Sequence, residues 1–159
     1  MSPRVYIETS IVSYLTARPT SDLVLAARQK LTRRWWVKRA AFDLFASELV
    51  LREAAAGDTG AARRRSRILA QIAILSIPAQ AEHLAVSLID RGGLPARAKA
   101  DALHIAIATI HGMDYLLTWN CRHIANASIR GKLEQVCRET GFEPPAISTP
   151  EELAAENLL

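Results

Sequence analysis

The chain has 159 residues, of which half are apolar and 23% are charged. This length and composition predict one folded domain with a substantial core, and they exclude an intrinsically disordered chain. No apolar run approaches the roughly 20 residues that a membrane-spanning helix needs. The net charge of +4 permits a nucleic-acid partner without requiring one.

The two cysteines, Cys121 and Cys137, do not form a Cys-x-x-Cys motif. We therefore expect reduced thiols in a cytoplasmic protein rather than a disulfide or a zinc site. The first residues lead directly into a strand and not into a signal peptide, which favours the same compartment.

Strand and helix patterns alternate along the chain without a long linker or an internal repeat. In chain order they predict a strand at 4–7, a helix from Thr9, a long helix capped by Ser21-Asp22, a strand at 42–46, helices at 48–56 and from Asp58, a short strand at 75–77, a helix through 84–89, a buried helix at 98–111, a strand at 115–118, a helix through 129–136 and a last short helix after Thr149. Strands separated by helices of this length predict an α/β fold. We expect one domain over residues 1–159, with a central parallel β-sheet and helices on both faces.

Four polar side chains fall where such a fold places its active site. Glu8 and Asn120 directly follow two predicted strands, Glu53 lies on the helix after a third, and Asp101 opens the buried helix. Ligands collect outside the carboxyl ends of parallel strands, so we expect these side chains to converge. Three carboxylates in one place repel one another, and a hard divalent cation relieves that repulsion.

Four motifs in this order resemble those of the PIN domain and, more narrowly, of the VapC-type toxins of bacterial toxin–antitoxin pairs. They are YIETSI at 6–11, S-x5-E at 47–53, ADALHIA at 100–106 and LTWNCRHI at 117–124. The resemblance covers nearly the whole chain, including TPEE at 149–152. It implies a PIN-like fold and an endoribonuclease dependent on Mg²⁺ or Mn²⁺. It also implies a homodimer that a cognate antitoxin protein holds inactive.

Two positions depart from the pattern of that family. The first acidic residue is normally Asp and is Glu8 here, which remains a hard oxygen ligand. The fourth is often Asp and is Asn120 here, so the site carries three negative charges rather than four. We expect the missing charge to lower the affinity for a second metal ion.

The expected chemistry explains why these residue types are needed. Cleavage of a phosphodiester requires an activated water and stabilisation of the charge that develops on phosphate, and a carboxylate-bound divalent cation supplies both. Because Mg²⁺ takes only one or two direct carboxylates, we assign Glu8 and Asp101 to the metal, and Glu53 and Asn120 to contacts through water. The hydroxyl groups expected to orient those waters or to bind a substrate phosphate are Thr9, Ser10 and Thr118.

Structural alternatives exist for three of the four central residues. Glu48, five residues before Glu53, is a second candidate for the same place in the site. Whichever of the two lies outside the site is an ordinary solvent-facing carboxylate. Asp101 also suits the start of a helix, where acidic residues are favoured. Asn120 also suits a turn after a strand.

Two histidines near these motifs invite a zinc interpretation. His104 lies one turn after Asp101, but no second ligand stands at helical spacing, so we interpret it as a core or substrate-side histidine. Cys121 and His123 follow one another too closely after a strand to make a good metal pair.

Two basic segments have ambiguous roles. Residues 33–39 combine cations with two tryptophans, which suits phosphates and stacked bases, but we favour a helix with core tryptophans and solvated cations. Residues 63–67 place only positive charges on one face of a helix, and such a face is usually solvated. Either segment would steer RNA electrostatically if it lay near the cleft.

Two other functions remain open from sequence. One is a catalytically weak PIN-like module that binds RNA or a partner without cutting it. The other is a metal-dependent phosphatase or nucleotidase, which commonly uses an Asp-x-Asp pair that Glu8-Thr9-Ser10 does not supply.

A two-fold dimer is expected because the helices at 23–35 and 84–89 present more apolar surface than one small sheet face needs to cover.

Overall fold

A computed structural model describes residues 1–153, in which five strands alternate with seven helices. The strands β1 to β5 are Arg4–Ile7, Asp43–Ser47, Ala73–Leu75, Tyr115–Leu117 and Ala146–Ser148. The helices α1 to α7 are Thr9–Thr16, Leu23–Val37, Glu48–Ala54, Thr59–Leu69, Ala79–Gly92, Lys99–Ile110 and Ala127–Glu139. Within these described residues, no helix is long and apolar enough to cross a membrane.

The five strands form one parallel sheet in the order β3-β2-β1-β4-β5. The chain moves from β1 through β2 to β3, and then crosses back to β4 and β5 on the other side of β1. With right-handed crossovers, these opposite directions place α1 to α4 on one face and α5 to α7 on the other. The packing agrees, since α1 contacts α2, α3 and α4, whereas α5 contacts α6 and α7. The predicted α/β fold is confirmed.

The change of direction occurs between β1 and β4, at the centre of the sheet. Open α/β sheets bind ligands at this kind of switch point, outside the carboxyl ends of the strands. Val5, Tyr6 and Ile7 of β1 have no exposed surface, and residues 104–109 of α6 are also buried. A polar side chain on either element therefore needs protein partners to offset its lost hydration.

The strand β5 was not predicted from sequence. It has three residues, follows Pro144-Pro145, and pairs at the sheet edge with β4 alone. A run this short gives almost no alternation, and proline before it resembles a loop signal, although proline is tolerated at the start of an edge strand.

The first turns of α2 leave apolar side chains exposed. The side chain of Leu23 is 86% exposed, and Ala27 is exposed as well. The buried residues of α2 are Gln29, Thr32 and Trp35. Because α2 packs mainly against α1, only its second half has a neighbouring surface to cover.

The segment after β5 begins as predicted. Thr149 and Glu152 exchange hydrogen bonds between each backbone N–H and the other's side chain, which forms the expected capping box. The short helix expected to follow, and the predicted end of the domain at residue 159, lie outside the described residues. Cys121 and Cys137 are both free thiols.

Candidate metal centre

Glu8 lies at the switch point of the sheet, directly after β1, and is 6% exposed. Its carboxylate accepts hydrogen bonds from the Thr118 hydroxyl at 2.6 Å and from the backbone N–H of Ser10 at 3.1 Å. The Ser10 hydroxyl donates to it as well. Thr118 follows β4, so this contact joins the ends of the two central strands. These donors offset the loss of hydration that a buried carboxylate suffers.

Glu53 lies on α3 and reaches the same region. Its Oε1 accepts a hydrogen bond from the Thr9 hydroxyl and lies 2.6 Å from Nε2 of His104. Burial alone would raise the pKa of Glu53, but the contacts with His104 and Thr9 and the nearby charge of Arg52 hold that pKa below its ordinary value. Glu48, the competing carboxylate, is exposed at the start of the same helix.

His104 lies on α6 and is buried, with 1% of its surface exposed. Its Nδ1 is 2.7 Å from the Tyr6 hydroxyl, which in turn is 2.8 Å from Oγ of Ser47. One ligand atom from each of His104, Glu8 and Glu53 lies within 4.8 Å of the others. The sequence indicated a core or substrate-side histidine, and the structure adds the contact with Glu53.

Asp101 is held in a second cluster beside this group. Its Oδ1 accepts a hydrogen bond from the Asn120 amide at 2.9 Å, and its Oδ2 lies 2.7 Å from Nδ1 of His123. The Asn120 backbone N–H donates to the Thr118 hydroxyl at 2.9 Å, and that hydroxyl donates to Glu8. Asp101 is therefore linked to Glu8 through two intervening side chains, but it stands outside the group of three.

The three hydroxyl groups predicted to face water or phosphate all contact the carboxylates. Thr9 donates to Glu53, and Ser10 and Thr118 donate to Glu8. Ser10 Oγ also accepts from the backbone N–H of Trp119, which ties α1 to the end of β4. The structure therefore gives these hydroxyls an orienting contact with the acids, and their contact with substrate stays a prediction.

The donor set suits a divalent cation. Carboxylate oxygens are the preferred ligands of Mg²⁺ and Mn²⁺, and ligands of one ion lie within roughly 4.5 Å of one another. Glu8, Glu53 and His104 come close to that spacing, since one ligand atom of each lies within 4.8 Å of the others. Both oxygens of Asp101 are engaged in hydrogen bonds, so binding of a metal to Asp101 would require one of those bonds to be replaced.

Two contacts at the site were missed from sequence. His123 was considered only as a partner of Cys121, whereas its ring contacts Asp101 and its backbone N–H donates to Oδ1 of Asn120 at 3.1 Å. The Asn-x-x-His spacing after β4 was the available signal. The second missed contact is the pairing of Glu53 with His104.

The basic segments are mostly structural in this fold. Trp35 is a core residue stacked on Phe42, with the ring centroids 5.5 Å apart, and Arg39 lies over the ring of Trp36. Arg64 donates to the carbonyl of Thr16, and Arg65 donates to the carbonyls of Ala54 and Ala56. The interpretation of core tryptophans holds for Trp35, and Arg64 and Arg65 bind helix ends rather than only solvent.

The chain belongs to the PIN domain family, whose pattern it matches over residues 5–127. The toxin VapC20 of Mycobacterium tuberculosis, described as cleaving the sarcin-ricin loop, shares the fold with a TM-score of 0.59 and 16% identity, over 89% of this chain and 99% of that one. VapBC2 of Rickettsia felis, bound to a DNA fragment from its promoter, gives a TM-score of 0.57 and 14% identity, over 92% and 98%. No curated protein matches the sequence.

Proposed function

We propose that this PIN domain is a divalent-metal-dependent endoribonuclease and the toxin of a toxin–antitoxin pair. The observation that carries the proposal is the convergence of Glu8 and Glu53 at the switch point, with Asp101 linked to them through Asn120 and Thr118. Family membership and the toxin structures that share the fold support it.

Each residue has a defined task in this proposal. When bound, Mg²⁺ or Mn²⁺ would supply charge neutralisation at the scissile phosphate and would lower the pKa of the attacking water. Glu8 and Asp101 would hold the cation, and Glu53, whose carboxylate lies in one group with that of Glu8, would contact the cation directly or through one of its waters. Asn120 orients Asp101 through its amide N–H.

The hydroxyl groups of Thr9, Ser10 and Thr118 keep the carboxylates in place in this proposal. They reduce the freedom of the acids before substrate binds, so less ordering is needed during the reaction. The sequence-based expectation that they also orient water or a substrate phosphate is retained.

The proposed partners are RNA as substrate, a cognate antitoxin and a second copy of the chain, all in the cytoplasm. The antitoxin is supported by the VapBC2 structure that shares the fold. The dimer is supported by the exposed apolar residues Leu23, Val24, Leu25 and Val86 on α2 and α5. Light scattering at tens of micromolar is expected to give the mass of two chains.

The alternative functions have weaker support. A non-cutting RNA-binding module is favoured by Glu8 and Asn120 at positions where the family usually has Asp, and by the occupied oxygens of Asp101. A phosphatase or nucleotidase would commonly need a second carboxylate two residues after Glu8, where Ser10 stands.

One assay separates the three functions. The purified chain is incubated with a mixed RNA pool in Mg²⁺, in Mn²⁺ and in EDTA, and in parallel with an aryl phosphate monoester. Discrete RNA fragments that require metal, without release of phosphate from the monoester, are the expected result. RNA that stays intact in both metals, or that is cut equally in EDTA, contradicts the proposal.

A further inference from the structure

His104 presents one ring nitrogen to the carboxylates and the other to the core. Nε2 lies 2.6 Å from Oε1 of Glu53, and Nδ1 lies 2.7 Å from the Tyr6 hydroxyl. With 1% of its surface exposed, the imidazole has no room to turn towards solvent. Two side-chain partners and this burial fix the orientation of the ring, so the Nε2 edge is held towards Glu53 and Glu8.

The hydrogen-bond chain behind His104 can run in either direction. Tyr6 contacts Ser47 as well as His104, and a hydroxyl or a neutral imidazole can each donate or accept. In one direction Tyr6 donates to Nδ1, and Nε2–H donates to Glu53. In the other, Nδ1–H donates to Tyr6, Tyr6 donates to Ser47, and Nε2 presents a lone pair to the carboxylates. This second arrangement requires a cation between Nε2 and Glu53, because two acceptors so close together would otherwise repel. Both arrangements hold the same number of protons.

Tyr6 is suited to support both arrangements. A phenol hydroxyl carries one hydrogen to donate and lone pairs that accept, so the Tyr6 hydroxyl can give its hydrogen either to Ser47 or to His104. Oγ of Ser47 already accepts from the backbone N–H of Val50 at 3.3 Å, and its second lone pair is available to Tyr6.

We propose that Nε2 of His104 is a ligand of the metal site, beside Glu8 and Glu53, and that Tyr6 holds it there through Nδ1. This inference rests on the proposed function, because it starts from the divalent-metal site proposed above. Histidines that bind metals are usually held through the other ring nitrogen, which is what Tyr6 does here. Two ligands at right angles on one ion are roughly 3 Å apart, so the contact between His104 and Glu53 needs to open only slightly.

A nitrogen ligand changes which cation the site prefers. Mg²⁺ binds oxygen ligands and keeps most of its waters, whereas first-row transition cations also accept imidazole. A site with two carboxylates and one imidazole therefore binds Mn²⁺ more tightly than Mg²⁺. A site made of carboxylates alone would show a much smaller difference between its affinities for Mn²⁺ and Mg²⁺.

The test measures metal binding to the purified full chain in the absence of RNA. Mn²⁺ and Mg²⁺ dissociation constants are determined for the wild type, His104→Gln and the control His111→Gln, whose ring contacts the Ser76 carbonyl away from the site. Wild type and control are expected to prefer Mn²⁺ at least tenfold. His104→Gln is expected to lose about tenfold or more in Mn²⁺ affinity while Mg²⁺ affinity changes little.

Pulsed EPR of the bound Mn²⁺ reports the ligand directly. Nitrogen hyperfine coupling is expected in the wild type and absent in His104→Gln. Tyr6→Phe keeps the core packing and is expected to retain the coupling with weaker Mn²⁺ binding. If His104→Gln does not fold, anomalous diffraction from Mn²⁺ in wild-type crystals is expected to place the ion next to Nε2.

Two results would overturn the inference. One is Mn²⁺ bound without nitrogen coupling in the wild type, or away from Nε2 in the crystal. The other is a Mn²⁺ preference that His104→Gln leaves unchanged. Neither result depends on RNA cleavage, so a chain that binds Mn²⁺ through His104 but cuts no RNA would retain this inference and refute the proposed function.

Discussion

At the scale of single residues, Asn120 is the position where the chain departs most clearly from an all-acidic site. Its amide N–H donates to Asp101, and its Oδ1 accepts from the backbone of His123. A carboxylate can only accept, so an aspartate at this position would lose the bond to Asp101 and set two like charges together. The neutral amide therefore holds Asp101 in the metal-free protein.

We expect Asn120→Asp to lower the free energy of unfolding in EDTA by about 1–3 kcal/mol, because one charge-assisted hydrogen bond becomes a repulsion. Saturating Mn²⁺ should restore part of that loss, since a ligand stabilises the state that binds it. Urea unfolding with and without Mn²⁺ measures both effects. Gln80→Glu is the control, because Gln80 is exposed in the first turn of α5, where a carboxylate is well tolerated. Equal stability of Asn120→Asp and wild type in EDTA would contradict this account.

Glu53 predicts a pH dependence of stability. Its pKa in the folded chain is below the ordinary value of 4.5, since the contacts with His104 and Thr9 outweigh burial. The stabilisation from this shift is present above pH 4.5 and is lost as the pH falls through the lower folded pKa. Urea unfolding in EDTA from pH 7 to pH 3 should therefore show a steeper loss for wild type than for Glu53→Gln. An equal loss of unfolding free energy with falling pH in wild type and Glu53→Gln would show that the contacts of Glu53 do not stabilise its ionised form.

The sequence predicted that Glu8 and Glu53 lie near one another, but it did not predict their hydrogen-bond partners. Glu8 and Glu53 are recognisable because carboxylates next to strand ends and apolar helices are unfavourable unless they are paired or bind a metal. The contact between His104 and Glu53 joins residues 51 positions apart, and no local pattern encodes it. His123 was missed for the same reason, since its link to Asp101 depends on how the turn after β4 folds back onto α6.

At the scale of secondary-structure elements, α3 has to hold Glu53 steady although it has only seven residues. Arg65 of α4 donates to the carbonyl of the last residue of α3, Ala54, at 2.8 Å and to the carbonyl of Ala56, just beyond the helix, at 2.7 Å. A cation at the end of a helix also interacts favourably with the helix dipole. One of the arginines in the basic segment thus stabilises the helix that carries a candidate catalytic residue.

We expect Arg65→Met to lower the free energy of unfolding by about 1–3 kcal/mol, because two charge-assisted hydrogen bonds are lost. Arg63→Met is the matched control: Arg63 is exposed on the same helix, and its replacement should stay within about 0.5 kcal/mol of wild type. Thermal or urea unfolding of both variants measures the difference. If the two variants are equally stable, the arginines act only as a solvated face.

The elements themselves were predictable where their patterns were long. The apolar α6 and the alternating β2 were placed within two residues, because burial on a helix or strand imposes a period. The strand β5 could not be predicted, since three residues after two prolines are too few to show the alternation of buried and exposed side chains that marks a strand. The exposure of Leu23 was unpredictable because it depends on where α2 runs beyond its neighbour α1, which is a property of the packed fold.

At the scale of the whole molecule, the topology explains why the candidate site exists at all. The order β3-β2-β1-β4-β5 changes direction between β1 and β4, so the crossovers leave a crevice beyond the carboxyl ends of those strands. Glu8 and Thr118 stand at those two ends and are joined by a 2.6 Å hydrogen bond. Helices α3 and α6, from opposite faces, then bring Glu53 and His104 to the same place.

The most direct test of the central claim, that these acids form a metal-dependent nuclease site, compares Glu8→Gln and Asp101→Asn with wild type. Cleavage of RNA and the rise in melting temperature caused by Mn²⁺ are measured on the same samples. We expect that both variants fold, lose nearly all cleavage, and show a much smaller rise in melting temperature than wild type. A folded Glu8→Gln or Asp101→Asn that cuts RNA like wild type would contradict it.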